Sequence, residues 1–193
     1  GYHFDLVTPK ETHEDIYLNA IGQHNLSNAI GALAIVDVAG FPLADALPAL
    51  ENFGGIHRRM EVFSFGNKTV VDDYAHHPEE IKAVLKTVAE FYPDKKNMVV
   101  FQPHLFSRTQ DFMDAFAQVL DQFDEIVLMD IYPAREKPIA GVTSDVLLER
   151  LKNQNKRKIN KEDFQTTIAG SEADLILVLG AGDIGIYLQE LRK

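Results

Sequence analysis

Short apolar runs alternate with amphipathic segments from Met60 onward, and this alternation limits the fold more than any other feature of the sequence. Strands are predicted over residues 60–65, 68–71, 98–101, 126–129 and 175–179. Helices are predicted over residues 78–91, 111–120 and 144–151, with a last helix that carries Ile184, Tyr187, Leu188 and Leu191 on one face. Apolar strands separated by helices form a parallel sheet that is covered on both sides. The sequence therefore predicts an α/β fold with a doubly wound, mostly parallel sheet.

Glycine-containing segments mark the turns of this predicted sheet. Gly66-Asn67 separates the first two strands and is typical of a β-hairpin. Gly180-Ala181-Gly182-Asp183-Ile184-Gly185 is similar to part of a dinucleotide-binding fingerprint, but it follows the last strand, and no acidic residue stands about twenty positions later. A tight turn with close helix packing is the better interpretation. The polar, basic stretch 153–162 is predicted to be a solvated loop.

The segment before Phe53 has a different pattern. Its predicted elements are two short strands, 4–7 and 16–18, and two helices, 25–39 and 43–52. Two isolated strands bury too little surface to support an independent domain. Together with the start at Gly1, which lacks an initiator Met, this pattern predicts the tail of a larger domain at the beginning of the chain.

Charge and composition exclude several classes of partner. The 193 residues carry a formal net charge of -10, whereas nucleic acids and anionic membranes bind basic surfaces, so we expect neither as a partner. The sequence has no cysteine, which excludes disulfides and thiolate chemistry and fits a cytoplasmic protein. No apolar run approaches the length of a membrane span. Small anionic ligands are compatible with this charge because local Arg side chains bind them.

Two predicted strands are followed by loops that are rich in reactive side chains. These loops are Asp72-Asp73-Tyr74-Ala75-His76-His77-Pro78 and Phe101-Gln102-Pro103-His104-Leu105-Phe106-Ser107-Arg108-Thr109. Open α/β sheets bind ligands at the carboxyl ends of their strands. A single Asp is equally well explained as a helix cap, and a lone His or Arg as a surface residue. The whole set indicates a ligand site, with a metal ion, a ribose hydroxyl or an amino group as the options.

Residue type and spacing narrow these options only in part. Adjacent residues such as His76 and His77 point in different directions in extended backbone, which disfavours a shared metal ion, and we assign no metal to the site. The guanidinium of an arginine such as Arg108 binds a carboxylate or phosphate through two hydrogen bonds. Arg108 together with His76 and His104 therefore indicates an anionic or zwitterionic substrate.

Two further groups of polar residues lie outside these loops. Asn25 and Asn28 are at the start of a predicted helix, where Asn is a common N-cap. Arg58 and Arg59 lie in the Gly-flanked joint between the two parts of the chain. A ligand bound between those parts would contact this arginine pair.

Taken in order, these motifs resemble the Mur ligase family over nearly the whole chain. The motifs are His24-Asn25-Leu26-Ser27-Asn28, Arg58-Arg59-Met60-Glu61, Asp72-Asp73-Tyr74-Ala75-His76-His77-Pro78, Phe101-Gln102-Pro103-His104, Ser107-Arg108-Thr109 and Gly180-Ala181-Gly182-Asp183. The resemblance implies a three-domain parent protein. Residues 1–55 would be the C-terminal part of its central ATPase domain, and residues 56–193 its C-terminal Rossmann-like domain, which binds amino acid and nucleotide.

The resemblance also implies an activity and a set of site residues. The activity is an ATP-dependent, Mg²⁺-requiring ligation through an acyl phosphate. The motifs are most similar to those of members that join L-alanine to the carboxylate of UDP-N-acetylmuramate in peptidoglycan precursor synthesis. The implied ATP-binding residues are Asn25, Asn28, Arg59 and Asp73. The implied substrate-binding residues are Tyr74, His76, His104 and Arg108, and the last three are also the catalytic candidates.

The sequence departs from the family pattern in one respect. It contains no Gly-x-x-Gly-Lys-Thr/Ser phosphate loop, and we expect the Mg²⁺ ligands of the central domain outside this chain as well. The resemblance therefore predicts that the chain is inactive alone and that its function belongs to a longer parent. Two alternatives stay open, namely a ligase that recycles murein peptides and a non-catalytic binding module with the same fold.

Overall fold

The computed structural model describes residues 1–192, and its N-terminal part is a small unit of two strands and two helices. Strands β1 (Tyr2–Val7) and β2 (Thr12–Leu18) pair in antiparallel orientation. Helices α1 (Gln23–Val38) and α2 (Leu43–Glu51) follow. All four predicted elements are present. Both strands are longer than predicted because they include polar residues that lie on the exposed side of the hairpin.

The rest of the chain forms one six-stranded sheet. Its strands are β3 (Glu61–Phe65), β4 (Lys68–Asp73), β5 (Asn97–Phe101), β6 (Glu125–Leu128), β7 (Lys156–Lys158) and β8 (Leu175–Leu179). Their spatial order is β3-β4-β8-β5-β6-β7. The hairpin predicted at Gly66-Asn67 joins β3 to β4 in antiparallel orientation, and the other pairings in this sheet are parallel. The predicted α/β fold with a mostly parallel sheet is confirmed.

Helices cover both faces of this sheet. They are α3 (Pro78–Phe91), α4 (Phe106–Asp111), α5 (Met113–Leu120), α6 (Ser144–Arg150), α7 (Phe164–Gly170) and α8 (Ile184–Leu191), with a 3₁₀ turn at Lys161–Asp163. One apolar core packs α3, α5 and α6 against the first face and includes Val99 and Phe116. The other packs α7 and α8 against the second face and includes Val100 and Phe164. Because successive residues of β5 enter different cores, that strand is apolar along its length.

The chain leaves the neighbouring strands β5 and β8 toward opposite faces of the sheet. After β5 it continues into α5 on the first face, and after β8 into α8 on the second. The two strands are adjacent and parallel. Their carboxyl ends therefore flank a crevice of the kind in which open α/β sheets bind ligands.

Several local predictions are wrong. The predicted loop at 153–162 contains strand β7 and the 3₁₀ turn, because an edge strand made of Lys156, Arg157 and Lys158 has no apolar pattern. The predicted loop after β5 contains helix α4, and α7 lies where the sequence predicts no element. Asp72 and Asp73 are the last residues of β4 rather than part of the loop that follows, since they pair with Val178 and Leu179 of β8.

The N-terminal unit lies against helix α3. The Tyr2 hydroxyl donates to the Glu90 carboxylate at 3.0 Å, and the Tyr2 ring contacts Phe91 edge-on with a centroid distance of 5.3 Å. Lys86 donates to the side-chain oxygen of Gln23 at 2.6 Å. These contacts lie along the second half of α3, and the start of α1 reaches the sheet edge of the candidate site through His24, which lines a cavity together with Arg59 and Asp73. No helix among residues 1–192 combines the length and apolar character that crossing a membrane requires.

Candidate active site

The two carboxylates at the end of β4 are buried, with 1% of Asp72 and 4% of Asp73 exposed. Asp73 accepts hydrogen bonds from the backbone N–H groups of Met60 and Ala75, both at 2.8 Å. Burial raises the pKa of the Asp73 carboxyl, and these two hydrogen bonds oppose the rise. Asp73 therefore ties the start of β3 to the loop after β4 and keeps further lone pairs for a ligand.

Asp72 holds Arg58 beneath the same loop. Arg58 Nε donates to Asp72 Oδ1 at 3.2 Å, and Arg58 Nη2 donates to the carbonyl oxygen of Gly180 at 2.6 Å. The two side chains are 13% and 2% exposed. Arg192 Nη2 lies 3.8 Å from the other oxygen of Asp72. Burial raises the pKa of the Asp72 carboxyl, and Arg58 opposes the rise. This ion pair joins the residues before β3 to the ends of β4 and β8.

Tyr74 lies over the guanidinium groups of both neighbouring arginines. The distances from the ring centroid are 5.1 Å to Arg58 Cζ and 5.5 Å to Arg59 Cζ, which is the range of cation–π contacts. The backbone N–H of Tyr74 also donates to the Arg58 carbonyl at 2.8 Å. The ring meets His76 edge-on with a centroid distance of 5.5 Å. Because Tyr74 is 36% exposed, a ligand has access to the ring.

His76 and His77, which are adjacent in sequence just before α3, make different contacts. His77 is the N-cap, because its imidazole accepts the N–H of Glu79 at 3.3 Å while the Glu80 carboxylate accepts the N–H of His77 at 3.1 Å. His76 instead places Nδ1 2.8 Å from the Tyr74 carbonyl oxygen and 3.3 Å from Glu80 Oε2. The structure agrees with the prediction that the two imidazoles point in different directions. His77 stabilises the helix, and His76 faces the candidate site.

The turn after β5 brings His104 into contact with Arg108. Between them, Leu105 has a φ of 72°, a left-handed backbone conformation that is strained for a branched L-residue. The chain turns sharply there and enters α4, which returns Arg108 toward the strand end. The Nη1 atom of Arg108 lies 3.3 Å from Nδ1 of His104. The structure thus brings together two residues that the sequence predicted for the same site.

His104 lies at the centre of the candidate site. Its ring centroid is 5.8 Å from that of His76 and 5.7 Å from that of Tyr132, to which the ring is inclined by only 19°. Burial lowers the pKa of His104, repulsion by Arg108 and by a protonated His76 lowers it further, and Glu136 opposes them. The imidazole is therefore neutral at neutral pH. Because Nδ1 accepts from Arg108, the neutral ring carries its proton on Nε2.

The loop after β6 is hydrogen-bonded to the turn that follows β5 and carries His104 and Arg108. Glu136 accepts hydrogen bonds from the N–H of Ser107 at 3.0 Å and from its hydroxyl at 2.5 Å. The Leu105 N–H donates to the Tyr132 carbonyl at 2.9 Å, and the Tyr132 N–H donates to the Pro103 carbonyl at 2.8 Å. The bonds from Ser107 hold the pKa of the Glu136 carboxyl below its usual range. The carboxyl ends of β4, β5 and β6 therefore contribute to one site, with β8 between β4 and β5 in the sheet.

Gln102 links the end of β5 to the start of α8. Its Nε2 donates to Asp183 Oδ1 at 2.7 Å, and its Oε1 accepts the N–H of Ile184 at 3.0 Å. A Cβ atom at Gly182 would overlap Gln102 Oε1, so the close approach requires glycine. This geometry agrees with the interpretation of the glycine-containing segment after β8 as a tight turn.

The residues implied for ATP binding lie around Arg59. Asn25 and Arg59 line a cleft of about 520 Å³ between the N-terminal unit and the sheet. Arg59 and Asp73 line a neighbouring cavity of about 330 Å³ together with His24. Asn28 is exposed one turn further along α1 and lies outside both linings. The structure thus brings three of the four residues together and leaves Asn28 at the periphery.

Four side chains that shape the site were not among the predicted site residues, namely Arg58, Gln102, Tyr132 and Glu136. Gln102 stands inside the motif Phe101-Gln102-Pro103-His104, and Tyr132 follows a predicted strand, so the rule that ligands bind at strand carboxyl ends would have included both. Arg58 was predicted, together with Arg59, to contact a ligand between the two parts of the chain, but not to support the site from below. Glu136 gave no signal, because its partner Ser107 is 29 residues away in the sequence.

Comparisons with known proteins agree with this architecture. A family model described as "Mur ligase, glutamate ligase domain" matches residues 58–182. The UDP-N-acetylmuramate--L-alanine ligase of Flavobacterium johnsoniae is 47% identical over 194 residues, which cover 100% of this chain and 43% of that protein. The protein of the same name from Porphyromonas gingivalis is 43% identical over 89% of this chain and 38% of its own length. The chain spans less than half the length of these curated relatives.

Solved structures with the same fold include two proteins of Thermotoga maritima. The UDP-N-acetylmuramate-alanine ligase superposes with a TM-score of 0.76 and 31% identity, over 93% of this chain and 39% of that chain. The folylpolyglutamate synthase superposes with a TM-score of 0.74 and 19% identity, over 99% of this chain and 44% of that chain, which shows the fold alone. Because the family model covers well over half of the residues, and the sheet and its strand ends are those of the matched region, this chain belongs to the Mur ligase family.

Proposed function

We propose that this chain is part of an ATP-dependent ligase that joins L-alanine to the carboxylate of UDP-N-acetylmuramate in peptidoglycan precursor synthesis. The observation that carries the proposal is the pairing of His104 with Arg108 at 3.3 Å, opposite His76 at the carboxyl edge of the sheet. An α-amino acid presents a carboxylate beside an amino group, and a guanidinium beside a neutral imidazole is complementary to that pair. The names of the curated relatives support the same reaction.

Arg108 is the residue that we assign to the alanine carboxylate. Its guanidinium offers two parallel N–H donors, and its neighbour His104 is neutral, so no other positive charge competes directly beside it for the anion. Tyr74 and His76 border the same space and would contact the growing product. In such a site, catalysis consists mainly of holding the reactants in place and stabilising charge.

His104 is the residue that we assign to the amino group. The nitrogen of L-alanine attacks the carbonyl carbon of the activated muramyl carboxylate only after the ammonium form has lost a proton, and inorganic phosphate then leaves. A neutral imidazole is a suitable acceptor for that proton. When Arg108 turns from His104 to the alanine carboxylate, Nδ1 of His104 becomes free to accept it. One binding event would thus both orient the substrate and expose the base.

The nucleotide is assigned to the cleft around Arg59. Asp73 would accept from the ribose hydroxyls, Asn25 and Asn28 would lie near the adenine, and Arg59 would face the phosphates. The position of Arg59 in the linings of both cavities supports this arrangement. ATP bound with Mg²⁺ supplies the phosphoryl group. Among residues 1–192 no group of three or more His, Cys, Asp or Glu side chains is arranged to hold a metal ion, so we assign no step to Mg²⁺ ligands of this chain.

We also propose a division of the chain between the two parts of the parent protein. Residues 1–55 would complete the central ATPase domain, and residues 56–193 would form the C-terminal Rossmann-like domain. The separate two-stranded sheet of the N-terminal unit supports this division. Gly55, with a φ of 79°, lies at the joint, where a change of backbone direction favours glycine.

The experiment that tests the function uses the full-length parent protein. Purified protein is mixed with ATP, Mg²⁺ and UDP-N-acetylmuramate, and the release of ADP is measured with and without L-alanine. We expect ADP release that requires both UDP-N-acetylmuramate and L-alanine, and a product with the mass of the amide formed between them. Equal or faster release with the tripeptide L-Ala–D-Glu–diamino acid in place of L-alanine would favour the recycling ligase. Nucleotide binding without any turnover would favour the binding module.

A further inference from the structure

The segment between β6 and α6 holds the turn that carries His104 and Arg108. Backbone hydrogen bonds at Tyr132 fix the turn on the β5 side, at 2.9 Å to Leu105 and 2.8 Å to Pro103. The carboxylate of Glu136 fixes it on the α4 side through the N–H and hydroxyl of Ser107. Between these attachments the Glu136 N–H closes a turn on the Pro133 carbonyl at 2.9 Å.

This attachment opposes a backbone strain. Leu105 lies in the left-handed region, with a φ of 72°, which is unfavourable for a residue with a branched side chain. Such a conformation persists only where surrounding contacts over-determine it. Leu105 donates its N–H to Tyr132, its carbonyl accepts from the Thr109 hydroxyl at 2.8 Å, and Glu136 holds Ser107 two residues further on. Without them the turn would relax, and the direction of the Arg108 side chain would change with it.

The carboxylate of Glu136 acts on Arg108 without binding its guanidinium. Ser107 occupies both oxygens of Glu136, and the guanidinium of Arg108 contacts His104 instead. The opposite charges still attract each other, since Arg108 lowers the pKa of Glu136. A carboxylate in this position draws the arginine toward the loop but leaves its donors available to an anionic ligand.

We propose that Glu136 is a positioning residue that orients Arg108 toward the carboxylate of the amino-acid substrate. It does so by fastening Ser107, the residue directly before Arg108 in the first turn of α4, to the loop after β6. The proposal rests on the proposed function and deepens it, because it names the group that sets the geometry of the amino-acid site. The family resemblance gave no role to this residue.

The kinetic test uses the full-length parent protein and the variants Glu136→Gln and Glu136→Ala. Glutamine accepts the same backbone N–H without the charge, whereas alanine removes the whole attachment. Asp130→Asn is the matched control, because it removes one negative charge from the same loop at a residue that pairs with Lys158 at 3.0 Å. For Glu136→Ala we expect KM for L-alanine to rise on the order of tenfold or more, with KM for ATP unchanged, because small misplacements of a positioning group have effects of this size. Glu136→Gln should fall between Glu136→Ala and the wild type, and Asp130→Asn should match the wild type.

A second measurement separates this proposal from the proposed function. The His104 ring is followed by NMR in the chain itself, where its neighbouring charges are Arg108, His76 and Glu136. Arg108 lowers the pKa of His104 from its place beside the ring, so Arg108→Ala should raise that pKa in the wild-type background. We expect a smaller rise in the Glu136→Ala background, where Arg108 is no longer held beside His104. If the parent releases no ADP with L-alanine, the proposed function fails, and this titration alone decides the role of Glu136. An active parent in which KM for L-alanine is unchanged, or rises together with KM for ATP, would overturn the role of Glu136 alone, as would an equal rise of the His104 pKa in both backgrounds.

Discussion

Arg58→Ala provides a strict test of how the site is supported, because Arg58 and its neighbour Arg59 differ in burial but not in chemistry. Arg58 is 13% exposed, and it pairs with Asp72, whose side chain is 2% exposed. It also donates to the Gly180 carbonyl at 2.6 Å. Arg59 is exposed and contacts the Tyr74 ring. The same substitution at the two positions therefore separates a buried ion pair from a surface charge.

The expected loss of stability follows from what the substitution leaves behind. Removing one partner of a buried ion pair costs about 3 to 5 kcal/mol, because the remaining charge has lost its compensation. Arg192 lies 3.8 Å from Asp72 and compensates in part, so the lower end of that range applies. The substitution brings no compensating gain in backbone conformation, because residue 58 has a φ of 56°, which is unfavourable for alanine as it is for arginine. We expect Arg58→Ala to lower the free energy of unfolding by about 3 kcal/mol and the Tm by roughly 6 to 12 °C.

The assay is urea unfolding of the 193-residue chain followed by circular dichroism, with thermal melts as a second readout. Arg59→Ala is the control, and we expect a change within about 0.5 kcal/mol. The double variant Asp72→Asn with Arg58→Ala should recover much of the loss, because no buried charge then remains without a partner. Equal effects of the two alanine substitutions would refute the assignment of Arg58 as the buried support of the site.

Three further predictions concern the site residues themselves. Arg108→Ala should raise KM for L-alanine on the order of thirtyfold or more in steady-state assays of the parent, because a charged hydrogen-bond partner is lost. KM for ATP should stay constant, and a parallel rise of both constants would contradict the assignment of Arg108 to the alanine carboxylate. The pKa of His104 is lowered in the folded chain, so below neutral pH the unfolded chain binds more protons than the folded one. The free energy of unfolding should therefore fall as the pH drops through 6.5 toward the lower pKa that His104 has in the folded chain. Unfolding curves of the His104→Gln variant should lack this part of the decrease. His77→Ala removes the N-cap of α3 and should cost about 1 kcal/mol of stability without changing KM for L-alanine, and a large kinetic effect with unchanged stability would instead place His77 in contact with the substrate.

The sequence predicted best the strands whose side chains are buried on both faces of the sheet. Strand β8 is buried on both faces, and its five apolar residues give an unambiguous pattern that matches the observed bounds Leu175–Leu179. Strand β7 lies at the edge of the sheet, and its three basic residues are only partly covered. Such a strand forms because β6 offers it a free row of hydrogen-bonding groups, and a pattern of side chains contains no record of that row.

The candidate site was predictable as a set of loops but not in the division of work within them. The rule that ligands bind at strand carboxyl ends selected the segments that contain His76 and His104, and the structure brings those two rings together. The same rule selected His77 and Asp72, which cap a helix and bind a buried arginine. Neighbours in sequence differ here because the backbone turns between them, and the direction of a side chain depends on contacts that are distant in the chain.

The central position of β8 has a consequence for the synthesis of the protein. Residues 175–179 pair with β4 on one side and β5 on the other, although they are translated about one hundred residues after β4. Until they emerge from the ribosome, both of those strands present unpaired hydrogen-bonding edges, which are surfaces prone to aggregation. A nonsense or frameshift mutation before β8 therefore removes the middle of the sheet rather than one of its borders. We expect its product to be a substrate for chaperones and proteases instead of a shortened folded protein.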